Sequence, residues 1–281
     1  MMHPLEMQYG PVDGWIILLL MGGLSISFFI YQVVKATRLV MLGAPDNRFD
    51  SWGIRIKEML VGWLGQKKVL RDKVAGTMHV LMFWGFLMLG SDMLDLVSAN
   101  YFSDKILPEF LNDPWNGIVE LGYMTALLGA LAALTRRVLF TPEKLKGKSQ
   151  LEGNFILVLI LTITSTSFII ESSENPSSIW EPLGHWVSGL GLSENFIVAS
   201  YWAHMISICC FLVLIPVSKH MHLVMAIPNV FFHDTQALGK MRPLAIGDDG
   251  KAVPLEDLDI DSFGVSTFDQ YTWRQIIDGW S

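Results

Sequence analysis

Cysteine is nearly absent from this 281-residue chain, whose only two, Cys209 and Cys210, are adjacent. Neighbouring cysteines cannot build a disulfide framework, and the chain lacks the spaced cysteine motifs that hold iron–sulfur clusters. Any such cluster would therefore lie on another polypeptide. We expect the two thiols to serve packing within a hydrophobic segment.

Charged residues are also scarce, at 17% of the chain, whereas hydrophobic residues make up 51%. This balance is typical of membrane proteins rather than of soluble domains. The formal net charge of −7 gives no reason to expect binding to nucleic acid. We find no internal repeat and no low-complexity stretch.

Five segments are long and apolar enough to cross a membrane. They do not alternate in the manner of barrel strands, and helices satisfy their own backbone groups in lipid. The segments are 15–34, 74–97, 117–134, 155–170 and 196–217, of which the fourth is short and could begin earlier. The sequence predicts an all-α membrane protein with a bundle of five transmembrane helices within residues 1–227. The first segment lacks a basic leader and a small-residue cleavage site, so we expect it to be retained.

Basic residues are unevenly distributed between the loops. The N-terminal leader and the loop 172–195 have none, and the loop 98–116 has only Lys105. The other nineteen of the twenty fall in 35–73, in 135–153 or after residue 217. The positive-inside rule therefore places the N-terminus outside and the C-terminus in the cytoplasm.

Two loops and the tail have further patterns. Residues 51–65 contain charges that exclude a sixth span. An apolar stripe nevertheless predicts a helix lying flat on the cytoplasmic surface, as an anchor or in contact with a partner. The stripe consists of Trp52, Ile56, Met59, Leu60 and Trp63.

The outer loop 172–195 can form a short interfacial helix, which would be either a flap over a cofactor or quinone pocket or an aromatic belt. Residues 228–281 form an acidic tail that we expect to dock on a partner subunit.

Three histidines lie in or at the edges of hydrophobic segments: His79, His204 and His222. An imidazole in hydrocarbon is costly unless it is paired or bound to a metal. The last two are eighteen residues apart, so on one continuous helix running to Pro228 they would share a face, about 27 Å apart. Haem iron held between histidines is the leading explanation, and a hydrogen bond within the bundle is the alternative for any one of them.

Two stretches resemble a known family. Thr77-Met-His79-Val-Leu-Met-Phe-Trp-Gly-Phe86 resembles the second helix of cytochrome b subunits of the respiratory nitrate reductase gamma type, and 204–228 resembles their fifth helix. Arg55-Ile-Lys57, Leu70-Arg-Asp-Lys73 and Phe83-Trp-Gly85 are most similar to the branch joined to heterodisulfide-reductase-like iron–sulfur proteins, as in the transmembrane redox complexes of sulfate reducers. Residues 272–278 look like the linker to a cluster-binding domain in fused relatives. Because the chain stops at Ser281, we expect a separate iron–sulfur partner.

The resemblance implies which residues hold haem b. His79 and His222 match the ligands of the cytoplasmic-side haem, and His204 matches one ligand of an outer haem. The other outer ligand would stand ten residues after His79, where this chain has Leu89. Alternative sixth ligands are Met88, Met93 and His185, and a five-coordinate or missing outer haem is also compatible with the sequence. Basic residues near the inner haem could pair its propionates or face lipid phosphates: Arg71, Lys73, Arg136 and Arg137.

The implied activity is electron transfer in a prokaryotic inner membrane. Electrons would pass between a periplasmic multihaem cytochrome c, menaquinol or both and a cytoplasmic iron–sulfur subunit. A quinol site needs a proton acceptor, for which the candidates are Asp92, Asp95, Glu120 and Glu171, with Glu120 placed about one turn inside its span. The alternatives are a menaquinol-oxidising or -reducing cytochrome b without a periplasmic cytochrome, an ion or proton transporter, and a membrane anchor without cofactor.

Overall fold

The computed structural model describes residues 3–102, 109–140, 148–174, 179–235, 256 and 270–279, and α-helices make up most of these ranges. The helices are α1 Gly14–Val40, α2 Trp52–Met59, α3 Lys73–Phe102, α4 Glu109–Phe140, α5 Lys148–Glu174, α6 Pro182–Ser188, α7 Glu194–Leu214, α8 His222–Phe231 and α9 Trp273–Asp278. Helices α1, α3, α4, α5 and α7 are long and apolar enough to cross a membrane, which confirms the five predicted spans. The fourth does begin earlier than its apolar core, at Lys148.

The chain divides into two compact units. The first contains Met1–Phe29 and Gln66–Leu214, and the second contains Ile30–Gly65 and Ile215–Ser281. Within the first unit, α4 packs against both α3 and α5, while α5 also contacts α6 and α7. The predicted short helix of the loop 172–195 is present as α6.

Glycines bring α3 and α4 into close backbone contact. A Cβ atom added to Gly85 would lie 2.5 Å from the carbonyl oxygen of Gly122 and 2.6 Å from Cβ of Ala126. One added to Gly129 would lie 2.9 Å from the carbonyl oxygen of Met78. Small residues at a helix interface allow this approach. The resulting van der Waals contact stabilises helix association in lipid, where there is no hydrophobic driving force for it. The face of α3 that includes Gly85 is therefore packed against α4.

The N-terminal segment folds onto α7 in the first unit. A short antiparallel hairpin pairs β1 Gln8–Tyr9 with β2 Val12–Asp13, and Gly10 takes a positive φ of 68° in its turn. The Tyr9 hydroxyl accepts a 2.7 Å hydrogen bond from the indole N–H of Trp202. Sequence periodicity did not predict this hairpin, because two-residue strands are too short to show a pattern.

In the second unit, α2 and the π-helical turn Leu60–Leu64 pack against α8. A helix is therefore present where the sequence predicts one, with Trp52, Ile56 and Leu60 exposed, and its place on the cytoplasmic membrane surface stays a prediction. Arg55, one of the charges in this segment, is buried, and its guanidinium group donates to the backbone carbonyls of Phe231 and His233 at the end of α8.

The end of the chain folds back on the second unit. Ile276 and Ile277 of α9 form a buried cluster with Val40 at the end of α1, and Trp273 packs against it. A parallel bridge joins Ala44 to Thr272. This part of the tail contacts the chain itself, and docking on a partner subunit stays a prediction.

Candidate functional site

The imidazole of His204 is oriented by helix α5. Its Nδ1 atom lies 3.1 Å from the carbonyl oxygen of Ile163 and 2.9 Å from the hydroxyl oxygen of Thr166. A carbonyl oxygen only accepts, so Nδ1 carries the proton. The Thr166 hydroxyl donates to the Thr162 carbonyl at 2.6 Å, and its oxygen accepts from the same Nδ1–H.

This tautomer leaves the lone pair of His204 on Nε2. Among the described residues none is hydrogen-bonded to that atom. A histidine that binds a metal through Nε2 usually donates Nδ1–H to a carbonyl or similar acceptor, which fixes its tautomer and ring orientation. His204 therefore meets this requirement for a haem ligand in a membrane span.

Helices α3 and α7 meet through aromatic side chains. The phenyl rings of Phe86 and Phe211 are tilted, with their centroids 5.5 Å apart. His79 stands seven residues before Phe86 on α3, and His204 stands seven residues before Phe211 on α7. Seven residues complete nearly two turns, so each histidine shares the face of its contacting phenylalanine.

The second and fifth of five spanning helices run in opposite directions. Seven residues correspond to about 10 Å along a helix. The levels of His79 and His204 therefore differ by about 20 Å along the bundle, on opposite sides of the phenylalanine contact. The assignment of the two histidines to different haems stays a prediction.

The condition under which His204 and His222 would share a helix face, one continuous helix running to Pro228, is not met. Helix α7 ends at Leu214, and a 3₁₀ turn containing Pro216 follows it. Ser218 is extended, with φ −122° and ψ 175°, and its hydroxyl oxygen accepts from the N–H of His220. A new helix, α8, begins at His222. A regular turn of about 100° per residue consequently does not relate the two histidines.

His222 shows the same local pattern as His204. Its Nδ1 donates to the Lys219 carbonyl oxygen at 2.9 Å, which places the lone pair on Nε2. The side chain of His79 in α3 is half-buried. Each of the three imidazoles proposed as ligands thus stands within or at the start of a helix, and two have their tautomer fixed by backbone carbonyls.

The structure describes the side chains of two of the three candidates for the outer sixth ligand, Met88 and His185. Leu89 packs against the buried cluster of Val119, Tyr123 and Phe168 on α4 and α5. A Cβ atom on Gly122 would lie 2.5 Å from Cβ of Met88, so Met88 faces α4. His185 is exposed on α6. The side chain of Met93 lies outside the part that the structure describes.

Glu120 is buried and joins α4 to α6. It is 3% exposed, and its Oε1 accepts a 2.7 Å hydrogen bond from the backbone N–H of Gly184. A Cβ atom on Gly184 would lie 3.8 Å both from this oxygen and from Oε2 of Glu171 on α5. The two carboxylates therefore approach one point beneath α6. Helix α4 begins at Glu109, before the candidate span that starts at Pro114, so Glu120 lies about three turns inside the helix and one to two turns inside that span.

The other acidic and basic candidates are less confined. Arg71 and Lys73 are exposed, and Arg136 is half-buried. The Arg137 guanidinium group lies directly against Gly153 of α5, where any Cβ atom would overlap it. The side chains of Asp92 and Asp95 lie outside the described part. Among described residues, no group of three or more His, Cys, Asp or Glu side chains is placed to hold a metal ion by itself.

Sequence reasoning missed the partners of His204. Residues Thr162 to Ser167 form a run of hydroxyl residues broken only by Ile163, within an apolar span. Such a run is unusual in a membrane helix and could have indicated a polar contact with a neighbouring helix. Thr164 is fully buried, but its hydroxyl donates only to carbonyls of α5. Thr166 is the member that reaches α7.

Comparison with known proteins finds two redox relatives. The chain is 25% identical over 278 residues to a probable iron–sulfur-binding oxidoreductase, FadF, of Bacillus subtilis, covering 94% of this chain and 37% of that protein. It is 24% identical over 313 residues to an EtfAB:quinone oxidoreductase of Syntrophomonas wolfei, covering 98% of this chain and 41% of that protein. The chain thus spans about two fifths of the length of these relatives. No protein-family profile and no solved structure matches it. These similarities point to an oxidoreductase-related, electron-transfer role for a multi-pass membrane chain.

Proposed function

We propose that this chain is a haem b membrane subunit that passes electrons between menaquinol, a periplasmic cytochrome c or both and an iron–sulfur partner in the cytoplasm. The observation that carries the proposal is the geometry of His204, whose Nδ1–H is bound by Ile163 and Thr166 and whose Nε2 carries the lone pair. The names of both relatives support a redox role, and one of them names iron–sulfur binding.

The imidazoles fit haem iron by their chemistry. Neutral histidines are strong ligands of low-spin haem iron, and their second nitrogen needs an acceptor. We assign His79 and His222 to an inner haem on the basis of the sequence. His204 would hold an outer haem, for which Leu89 leaves the sixth ligand unassigned. When bound, haem would supply one-electron transfer.

The chain's own residues would set the conditions for this transfer. The carbonyls of Ile163 and Lys219 hold the rings of His204 and His222 and raise the basicity of Nε2. His79 and His204 lie in apolar spans, where lipid would limit the access of water to their imidazoles. Arg136, half-buried near the predicted cytoplasmic end of α4, is the strongest remaining candidate for pairing a propionate.

A quinone is our preferred electron carrier in the membrane. One relative is named a quinone oxidoreductase, and Glu120 places a buried carboxylate at the predicted outer end of the bundle. Glu120 would accept or release the proton that accompanies quinol oxidation. Its contact with Gly184 would at the same time hold α6 over this end of the bundle.

The test is the visible spectrum of the purified full-length chain and of single histidine variants. We expect sharp reduced b-type bands, loss of the inner haem's bands in His79→Ala and His222→Ala, and a separate loss in His204→Ala if an outer haem is bound. His3→Ala is the control, because the Nδ1 of His3 accepts from the backbone N–H of Leu5 in the N-terminal segment and His3 is none of the proposed ligands. A colourless wild-type chain would favour a transporter or an anchor. Unaltered bands in His79→Ala would refute the ligand assignment.

A further inference from the structure

Side-chain donors satisfy the backbone carbonyls at the C-terminal end of helix α8. The last carbonyls of a helix have no partner within it and need other donors. Here five consecutive carbonyls accept from side chains. Arg274 donates to Asn229 and Phe232, Arg55 donates to Phe231 and His233, and the Nδ1 of His233 donates to Val230.

The two arginines are nearly inaccessible to solvent. Arg55 is 1% exposed and Arg274 is 6% exposed. Each has an acidic partner, Asp50 for Arg55 and Asp278 for Arg274. Two cations at the negative end of a helix dipole are favourable, and planar guanidinium groups present several donors in a fixed geometry. Burial of this kind makes the position of α8 sensitive to either arginine.

Helix α9 brings Arg274 to this position. The backbone N–H of Trp273 donates to the Ala44 carbonyl, and its indole N–H donates to the Asp46 carbonyl at 2.9 Å. A Cβ atom on Gly43 would lie 2.5 Å from the N atom of Trp273, so only glycine allows this approach. Thr272 begins α9 with a capping box, in which its hydroxyl accepts from the N–H of Gln275. The C-terminal helix is thereby fixed to the segment that follows α1.

We infer that Arg274 and Arg55 are positioning residues for His222. His222 is the first residue of α8, a ten-residue helix whose other end the two arginines hold. Pro228 removes one internal hydrogen bond from α8, but the helix has only ten residues, so we expect release of its C-terminal end to change the orientation of the imidazole at its start. The inference rests on the proposed role of His222 as a haem ligand. It gives the segment 272–278 a function within this chain, in addition to any link to a partner.

The test compares Arg274→Met with Arg48→Met in the purified full-length chain. Methionine keeps most of the apolar stem of Arg274 but removes its hydrogen bonds to α8. Arg48 belongs to the same unit and pairs with Asp46 and Asp234. Among the described contacts it donates to none of the five carbonyls of 229–233. Two kinds of measurement are made. The first is amide hydrogen exchange of 222–233, and the second characterises the haem that His222→Ala removes, by its midpoint potential and its low-spin ferric EPR signal.

We expect exchange of these amides to become about tenfold faster or more in Arg274→Met, since hydrogen bonds to a charged donor are lost. The potential and the EPR signal should shift with it, because they report ligand orientation. Arg48→Met should change neither. If Arg274→Met does not accumulate in the expressing cells, Arg274→Lys is the substitute. Lysine keeps one donor group, so the potential and the EPR signal should shift in the same way but less.

The outcomes separate the two proposals. If His222→Ala removes a haem but Arg274→Met or Arg274→Lys leaves its potential and EPR signal unchanged, the positioning role is wrong and the proposed function stands. If His222→Ala leaves every haem signal intact, the ligand assignment is wrong and the positioning role falls with it. A shift in Arg48→Met equal to that in Arg274→Met would also overturn the inference.

Discussion

The hydroxyl group of Thr166 on α5 accepts a hydrogen bond from Nδ1 of His204 on α7, across 2.9 Å. Its own hydrogen is directed at the Thr162 carbonyl, so the hydroxyl can only accept from the imidazole. The Ile163 carbonyl is a second acceptor for the same hydrogen. This contact links the orientation of one proposed ligand to one side chain of a neighbouring helix.

Replacing Thr166 with valine should loosen His204 without enlarging the space around it. The valine keeps the branched shape but offers no acceptor, which leaves the Ile163 carbonyl alone. Loss of such a contact to a metal-bound histidine weakens binding by about 10- to 100-fold. We expect lower haem occupancy at His204 and a shifted midpoint potential, measured by redox titration of the purified chain.

Thr164→Val is the control for this prediction. Thr164 is also buried on α5, and its hydroxyl donates only to carbonyls of its own helix. The same substitution there should leave the spectrum and the potential of the His204 haem unchanged. Equal effects of the two variants would mean that Thr166 acts only through packing in α5.

Much of this arrangement was predictable from the sequence, and the rest depends on contacts between distant residues. Hydropathy alone located the five spans, because lipid imposes length and apolarity on every spanning helix. The sequence left open whether the fifth helix stops at Val217 or runs on to Pro228, because Met221 to Ile227 continue the apolar pattern after Pro216. The buried positions of Arg55 and Arg274 were missed because only the folded chain places them at the carbonyls of α8. Orientation in the membrane and the haem ligands stay predictions.

Glu120 has a structural and a chemical role that two substitutions can separate. Glu120→Ala would leave the buried N–H of Gly184 without its acceptor, which costs about 1–3 kcal/mol. We expect α6 to detach more readily, seen as faster proteolysis within 179–193. Glu120→Gln keeps an acceptor oxygen but cannot take up a proton, so α6 should stay protected while quinol oxidation falls at least tenfold.

Quinol oxidation is measured with a soluble menaquinol analogue in membranes that contain the full chain and its partners. If Glu120→Gln oxidises the analogue at the wild-type rate, Glu120 is not the proton acceptor and its role is to hold α6. If both variants lose protection of α6 equally, the charge rather than the acceptor oxygen holds Gly184.

The close contact of α3 and α4 predicts opposite effects for two glycines of the same helix. A Cβ atom on Gly85 would meet backbone atoms of α4 at 2.5 to 2.8 Å, whereas one on Gly90 would meet nothing within 4 Å. Gly85→Ala should therefore destabilise the chain by about 1–3 kcal/mol through overpacking. Gly90→Ala should be neutral or stabilise it by up to about 1 kcal/mol, since alanine favours a helix. Thermal unfolding in detergent measures both, and equal melting temperatures would contradict the observed packing.

The ion pair of Asp50 and Arg55 predicts a pH dependence in the second unit. The hydrogen bond from the Arg55 guanidinium group holds the pKa of the Asp50 carboxyl below its ordinary value of 3.8. Between the two values the unfolded chain binds the proton more readily than the folded one. The contribution of this pair to stability is therefore complete above the ordinary pKa and is lost as the pH falls through the lowered one.

Asp50→Asn isolates this contribution. Because Asp50 is exposed to solvent, the effect should be small, and it should concern the position of Arg55 rather than the whole fold. We expect amides of 229–234 to exchange faster in Asp50→Asn than in the wild type above the ordinary pKa of 3.8, and the difference to shrink as the pH is lowered below 3.8 and the wild-type carboxyl takes up its proton. A difference that is unchanged or larger at the lower pH would show that the carboxylate does not hold Arg55 at the end of α8.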